Sequence, residues 1–249
     1  MSQQPSSSSS SSEPSSSNTQ LPEDQPRTDN DSPTQLQYHL PTIQQNQITR
    51  GIQMLRYLTN PRKIPEVTLF LSQAERQYSP QLQAVYTAKE FPDKAQGRLL
   101  EQAVRNEFSQ GYSCFCYMLL DSRVTGKDIY ALTIPKFIDA VFYVGKGSGT
   151  RPLDHLNKCR RQRSVDLASV RSSDKLSSID DQWACLDGVV LLQFSNTISE
   201  SEAHVREACL IDAFRKESLS NERKGDYKGT TRSWAQETKD AFGVFVLEQ

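Results

Sequence analysis

A carboxylate falls among apolar side chains in the helix predicted after Ser199. Four apolar residues of this helix form one stripe at helical spacing: Ala203, Leu210, Ile211 and Phe214. Glu207 falls on the same stripe. A carboxylate on the core-facing side of a helix is costly unless it meets a cation or a metal ion. The pattern therefore indicates either a metal ligand or a partly buried ion pair, for which Arg206 and Arg151 are the candidate partners.

A glycine-rich segment follows a predicted strand and precedes a helix. It reads Gly145-Lys146-Gly147-Ser148-Gly149, and Pro152 is a candidate for the first residue of the helix. Glycines let the backbone approach a ligand closely, and a helix N-terminus beside a lysine suits an anion such as phosphate. The order differs from that of a Walker loop, in which lysine follows the last glycine. The segment is thus either a phosphate contact or an ordinary turn.

Positive charge is concentrated around this segment. Arg151 and His155 are four residues apart and share one helix face. The same helix continues into four further cations: Lys158, Arg160, Arg161 and Arg163. Residues 111–163 hold nine lysines and arginines against four aspartates, although the chain of 249 residues has a formal net charge of -1. Such a local excess is expected of a protein that binds a phosphate backbone, with a solvated basic helix as the alternative.

Strands and helices must position these groups. Three runs are typical of strands: Phe115–Leu120, Ala140–Val144 and Gly188–Phe194. Helices are predicted from Thr150, near Asp180–Cys185, from Ser199 with Glu202 completing a capping box, and over Thr230–Phe242. Gly243–Leu247 is predicted as a short terminal strand. Because the elements do not alternate regularly as βαβ units, the α+β class is favoured.

The rest of the chain divides by composition. Residues 1–40 are rich in Ser, Pro and Gln, carry five acids against one arginine, and are predicted to be a disordered tail. Residues 41–110 are predicted to be a helical accessory region with apolar residues at helical spacing in three places: Ile48–Leu58, Val67–Leu71 and Leu99–Phe108. Residues 111–249 hold the groups described above.

Several classes of protein are excluded or disfavoured. The longest apolar run, Cys114–Leu120, is far shorter than the roughly 18 residues of a membrane span, and Met1–Pro5 does not open a secretory signal. The five cysteines are an odd number without a Cys-x-x-Cys pair, which favours reduced thiols. We expect a protein of the nucleus, the cytoplasm or both, with no membrane partner.

Six separated positions resemble the pattern of the GIY-YIG endonucleases: Tyr117, Tyr143, Arg151, His155, Glu207 and Asn221. Three blocks are similar to the nuclease domain of the ankyrin-repeat and LEM-domain-containing endonucleases: Cys116–Arg123, Phe142–Gly147 and Arg206–Ala213. Phe115-Cys116-Tyr117 stands where the name motif has Gly-Ile-Tyr, so only the tyrosine is kept. The segment Ser122–Ile138 lengthens the distance between the two tyrosines, as in that subgroup.

The resemblance implies a small, mainly antiparallel three-stranded sheet flanked by helices. It also implies an endodeoxyribonuclease that depends on a divalent metal and acts on DNA, which in the subgroup is branched or irregular. Glu207 would be the single protein ligand of Mg²⁺, with Mn²⁺ as a substitute. Two alternatives remain: a catalytically silent nucleic-acid-binding module, and a nucleotide-binding transferase that uses the Gly-Lys-Gly segment.

The resemblance also assigns roles to the other positions. Tyr117 would activate or orient the attacking water, with His155 as the competing base and Tyr143 completing the hydrogen-bond network. Lys146 and Arg151 would lower the pKa of Tyr117, and Arg151 would bind the scissile phosphate. Asn221 would position the backbone or a water of the metal ion. The residues expected to contact substrate are Gly145, Lys146, Asn221, Lys158, Arg160 and Arg161.

Overall fold

The structure is a computed structural model that describes residues 75–111, 113–185 and 187–249. Its centre is a three-stranded antiparallel sheet in the order β2-β1-β3. The strands are β1 Cys114–Leu120, β2 Val141–Gly147 and β3 Val190–Ile198. β1 is the middle strand, and six of its seven residues are buried, which suits its almost wholly apolar sequence. The α+β fold and the antiparallel sheet predicted from the sequence are confirmed.

The glycine-rich segment is mostly strand rather than turn. Gly145 pairs with Tyr117, and Gly147 pairs with Phe115, so β2 continues through both glycines. The turn is confined to residues 148–150, and the next helix begins at Arg151. Because paired residues of an antiparallel sheet share a face, the pairing places Gly145 directly beside the ring of Tyr117.

Three helices pack on the sheet face that carries Tyr117. They are α5 Arg151–Val165, α6 Leu167–Arg171 and α7 Asp174–Ala184. Apolar residues of these helices form one cluster with the odd-numbered residues of β1. Members from the helices are Leu156, Cys159, Val170, Leu176, Ile179 and Trp183. This cluster fixes α5 and α7 beside β2.

The opposite face of the sheet packs on α8 Glu200–Phe214, and α9 Gln236–Glu248 packs in turn on α8. The Ser199 hydroxyl accepts a hydrogen bond from the Glu202 amide at 3.1 Å, so the N-cap predicted from the sequence is confirmed. Two further helices, α1 Pro80–Ala88 and α2 Ala95–Glu107, contribute Leu82, Val85 and Val104 to the same core. The helix predicted around Leu99–Phe108 is therefore present, although Leu99 itself is 68% exposed.

The segment between β1 and β2 forms two short helices, α3 Ser122–Thr125 and α4 Ile134–Ala140, with a 3₁₀ turn at Ile129–Ala131. Two further 3₁₀ turns, Lys216–Ser218 and Gly229–Ser233, separate α8 from α9. The insertion thus leaves and rejoins the sheet at the end away from Gly147, since Leu120 pairs with Val141.

The predicted terminal strand is wrong, because Gly243–Leu247 lies inside α9. A Cβ on Gly243 would lie 2.2 Å from the carbonyl oxygen of Cys209, so α9 packs with its backbone against α8. The run of Val and Phe residues suits a strand locally, but close packing on a buried helix decides in favour of a helix. The predicted helix over Thr230–Phe242 is split, with its first part in a 3₁₀ turn.

Other sequence-based predictions meet the structure only in part. The predicted tail and the helical patterns before residue 75 lie outside the described residues. All five cysteines are free thiols. Within the described ranges no helix combines the length and the apolar character needed to cross a bilayer.

Candidate active site at the edge of β2

Tyr117 projects from the middle of the sheet over Gly145. A Cβ at residue 145 would lie 2.5 Å from Cζ and 2.7 Å from the hydroxyl oxygen of Tyr117. Only glycine leaves room for the phenol at this place. The close neighbour of Gly145 is therefore Tyr117, and its expected contact with substrate stays a prediction.

His155 faces Tyr117 from α5. The hydroxyl of Tyr117 lies 2.8 Å from Nε2 of His155. Tyr143 completes a cluster of three rings, with its centroid 4.9 Å from that of His155 and 6.0 Å from that of Tyr117. Tyr117 and His155 are buried, while Tyr143 is partly exposed. Three of the sequence-predicted positions therefore meet at one point.

The environment keeps both Tyr117 and His155 neutral. Burial raises the pKa of Tyr117 well above its usual range, and the neighbouring Tyr143 adds to this effect. Arg151 opposes the shift but does not reverse it, so the expected lowering of the Tyr117 pKa is wrong for the protein alone. Burial, together with Lys175, Arg151 and Lys158, lowers the pKa of His155 to about 3. A neutral imidazole can accept a proton from the phenol when its own proton is on Nδ1.

Glu207 reaches the site from the opposite side of the sheet. β2 is an edge strand, and its Lys146 amide donates a hydrogen bond to the Glu207 carboxylate. Burial raises the pKa of Glu207 to about 7, against the lowering effect of Lys146 and Arg151. Lys146 lies on the α8 face, since its strand partner is Cys116 rather than Tyr117. Lys146 therefore acts on Glu207 and not on Tyr117.

The surroundings of Glu207 fit a hydrated divalent ion. In the part of the chain that the structure describes, no basic nitrogen lies within 4.0 Å of its carboxylate, so the ion pair with Arg206 or Arg151 is not formed. Arg206 instead pairs with Glu202 at 2.8 Å and Glu101 at 2.6 Å. Among the same residues, no cluster of three or more His, Cys, Asp or Glu could hold an ion. One carboxylate completed by water and phosphate is a donor set that Mg²⁺ accepts.

Asn221 also binds the free edge of β2. Its side-chain amide donates to the carbonyl of Val144 at 2.7 Å, and its side-chain oxygen accepts from the Val144 amide at 3.1 Å. These two bonds satisfy the backbone amide and carbonyl of Val144 at the edge of the sheet, as a neighbouring strand would. The geometry makes Asn221 a positioning residue for β2, and its expected contact with substrate stays a prediction.

Arg151 stands at the exposed rim of the site. A Cβ on Gly147 would lie 2.5 Å from Cγ of Arg151, so this glycine gives room to the arginine stem. The guanidinium pairs with Asp154 at 3.2 Å, and both side chains are more than half exposed. The glycines of β2 thus accommodate Tyr117 and Arg151 rather than form a cradle for a nucleotide.

The basic residues of α5 do not all face the site. Lys158 lowers the pKa of His155 and so lies near it. Helical geometry turns Arg160 and Arg161 about 140° and about 120° away from His155, and both are exposed. Arg163 pairs with Asp180 at 3.0 Å. Lys158 is therefore the one of the three predicted substrate contacts on this helix that the structure brings to the site.

Lys175 is a site residue that the sequence did not indicate. Its Nζ lies 4.3 Å from the centroid of the Tyr143 ring. Beside it, a groove of about 460 Å³ runs between the start of α7 and the 216–222 segment. Acidic residues predominate among its charged residues: Asp174, Glu217 and Glu222 against Lys216. A single lysine in a polar helix gave no signal in the sequence.

The family comparison agrees with this geometry. The LEM-3-like GIY-YIG domain matches residues 114–249, which include every residue of the cluster. The chain belongs to this family. As a GIY-YIG protein it belongs to a family of nucleases, enzymes that act on DNA and generally use divalent metal ions.

Relatives of this GIY-YIG chain carry ankyrin-repeat and LEM-domain names. The ankyrin repeat and LEM domain-containing protein 1 homolog of Caenorhabditis elegans is 38% identical over 178 residues, 69% of this chain and 25% of the relative. The mouse protein of that name is 35% identical over 145 residues, 55% of this chain and 27% of its own length. The human protein is 34% identical over 152 residues, 55% and 24% of the two chains. The matches thus span about a quarter of these relatives. No solved structure matches the chain.

Proposed function

We propose that this protein is a divalent-metal-dependent endodeoxyribonuclease that hydrolyses phosphodiester bonds in branched or otherwise irregular DNA. The observation that carries the proposal is the Tyr117–His155 pair together with the buried Glu207 carboxylate, which acts electrostatically on Tyr117 and Tyr143 and accepts a hydrogen bond from the Lys146 amide of β2. Phosphodiester hydrolysis needs a proton acceptor for water and positive charge around the phosphate. The described residues supply both.

Glu207 would hold the divalent ion, which we take to be Mg²⁺ with Mn²⁺ as a substitute. When bound, the ion supplies positive charge to the scissile phosphate and the leaving 3′ oxygen. Burial raises the pKa of Glu207 to about 7, so its charged form is poorly solvated and a bound cation would stabilise it.

Tyr117 and His155 form the proton path for the attacking water. The phenol takes the water proton while its own proton passes 2.8 Å to Nε2 of His155. Three cations lower the pKa of His155 in the free protein. A bound phosphate offsets their charge, so the imidazole gains proton affinity when substrate is present. This coupling gives each of the two candidate bases a part in one transfer.

Arg151 would bind the non-bridging oxygens of the scissile phosphate. Its guanidinium is exposed and, among the described residues, its one ion-pair partner is Asp154. Exposed ion pairs contribute about 0–1 kcal/mol, so a phosphate can replace Asp154 as partner. Arginine binds phosphate with two parallel hydrogen bonds, which suits the charge of the transition state.

The preference for branched or irregular DNA rests on the resemblance to the LEM-domain subgroup. The exposed cations near the site, Arg151 and Lys158, suit contacts with phosphates rather than base edges. Phosphate contacts position a protein on DNA without reading sequence. Selection by DNA shape is consistent with such a site.

A cleavage screen tests the proposal. Purified protein and its Glu207→Ala variant are incubated with single-stranded, nicked, duplex and four-way-branched DNA in Mg²⁺, with EDTA as the blank. We expect the parent protein to cut branched or nicked DNA and the variant to bind without cutting. Equal cleavage by both proteins, or binding without cleavage by either, would contradict the proposal; the second result would favour a silent binding module. Saturable ATP binding without cleavage would favour a transferase.

A further inference from the structure

Lys175 is a half-buried cation that α7 places against the ring cluster. Its Nζ lies 4.3 Å from the centre of the Tyr143 ring, within range of a cation–π interaction. It is the second residue of α7, where the partial positive charge of the helix end disfavours a cation. Neither burial nor helix position explains a lysine here.

Among the described residues, Lys175 also lacks an ion-pair partner. Across residues 75–111, 113–185 and 187–249, no carboxylate lies within 4.0 Å of its Nζ. Burial lowers the pKa of Lys175; Glu222 opposes the shift, and Lys158 and Arg151 add to it. Three cations from two helices thus converge beside His155, and each lowers its pKa. Such a convergence is unfavourable in the free protein and becomes favourable when an anion enters between the cations.

The surroundings define the side from which the anion arrives. The groove next to Lys175 contains Asp174 and Glu222, which repel phosphate. Arg151 and Lys158 of α5 are the cations that act on Lys175, and they attract phosphate. A backbone phosphate therefore reaches Lys175 beside α5 rather than through the acidic groove.

We propose that Lys175 contacts a backbone phosphate of the bound DNA beside the phosphate held by Arg151, and that the Tyr143 ring orients the ammonium group. The inference rests on the proposed function and adds to it a substrate contact from a helix outside the six matching positions. The contact gives a role to the lysine at the start of α7.

The test measures binding in EDTA, where no strand is cut. The affinity of the full chain for a fluorescent nicked duplex is measured at several salt concentrations for the parent, Lys175→Met, Lys175→Arg and Lys127→Met. Lys127 is an exposed lysine of the β1–β2 insertion and serves as the matched control. We expect Lys175→Met to weaken binding about five- to twentyfold, with Lys175→Arg close to the parent. We also expect Lys175→Met to lower the salt slope, the steepness of the logarithm of the binding constant against the logarithm of salt concentration, by about 1.

Two results would overturn the inference. One is a salt slope for Lys175→Met equal to that of Lys127→Met. The other is a lower melting temperature without any change in slope, which would make Lys175 a structural partner of Tyr143 alone. Because binding is measured without metal, a parent protein that binds through Lys175 but cuts no DNA contradicts the proposed nuclease activity and leaves the Lys175 contact supported.

Discussion

The hydroxyl of Tyr117 lies 2.8 Å from Nε2 of His155, and both side chains are buried. The phenol has a raised pKa and the imidazole has a lowered one. Each group alone is a poor base at neutral pH, because the phenol holds its proton and the imidazole resists a charge. Joined by a hydrogen bond, they can move a proton without leaving a buried phenolate. The two residues therefore act as one unit in our account.

This joint action predicts non-additive loss of activity. Tyr117→Phe and His155→Gln should each lower the single-turnover cleavage rate about 10²–10⁴-fold. The double variant should be no slower than the worse single variant, since residues acting as a unit fail together. Single-turnover rates at saturating protein measure the effect. Losses that multiply in the double variant would show that the two residues act independently.

The lowered pKa of His155 predicts a specific acid sensitivity of folding. In the unfolded chain the imidazole titrates near 6.5, whereas in the folded protein it titrates near 3. Between these values the unfolded state binds more protons, so stability is complete above pH 6.5 and falls as the pH drops toward 3. From pH 7 to pH 5 the loss is about 2 kcal/mol.

Urea unfolding at pH 7 and pH 5 checks this loss, with His155→Gln as the control. The raised pKa of Glu207 has the opposite effect on stability. Below about pH 7 its carboxyl group binds more protons in the folded than in the unfolded state, so this contribution to stability grows as the pH falls. That effect is common to both proteins and cancels in the comparison. We expect the parent to lose about 2 kcal/mol more than the variant. An equal loss in both proteins would show that His155 is not held neutral by burial.

Gly145 offers a steric test of the site. A methyl group at residue 145 would lie 2.5 Å from the Tyr117 ring, so Gly145→Ala should displace the phenol from His155. We expect at least about a hundredfold loss of cleavage and about 1–3 kcal/mol of lost stability. The control is Gly145→Ala in a Tyr117→Ala background, where the added methyl group meets no phenol. The stability loss should shrink there, and a loss of equal size in both backgrounds would locate the clash elsewhere.

The helices before residue 111 are predicted to stabilise the nuclease core. Val104 of α2 is fully buried in the cluster that contains α8 and α9, whereas Leu99 of the same helix is 68% exposed. Val104→Ala should lower the free energy of unfolding by about 2 kcal/mol, and Leu99→Ala should change it by less than about 0.5 kcal/mol. Chemical denaturation of the two variants measures both values. Equal effects would mean that α2 does not belong to the core of the nuclease.

The sequence predicted those parts of the site that local patterns encode. Glu207 was found because a carboxylate breaks an apolar stripe, and Ser199 because a cap precedes a helix by a fixed spacing. Lys175 has no such signal, since its contact with Tyr143 depends on how α7 packs against β2. The residues around Gly243 suit both a strand and a helix, and packing against α8 decides between them. Long-range packing is thus what the local patterns did not contain.

The most direct test of the central claim compares two glutamates of α8. Glu207 lies at the site, and Glu200 is a mostly exposed residue of the first turn of the same helix. Single-turnover cleavage of the DNA shape that the screen finds best is measured in Mg²⁺ for Glu207→Gln and Glu200→Gln. Our account predicts a loss of at least about 10³-fold for Glu207→Gln with DNA binding retained, and an unchanged rate for Glu200→Gln. Cleavage by Glu207→Gln at the parental rate would contradict the account.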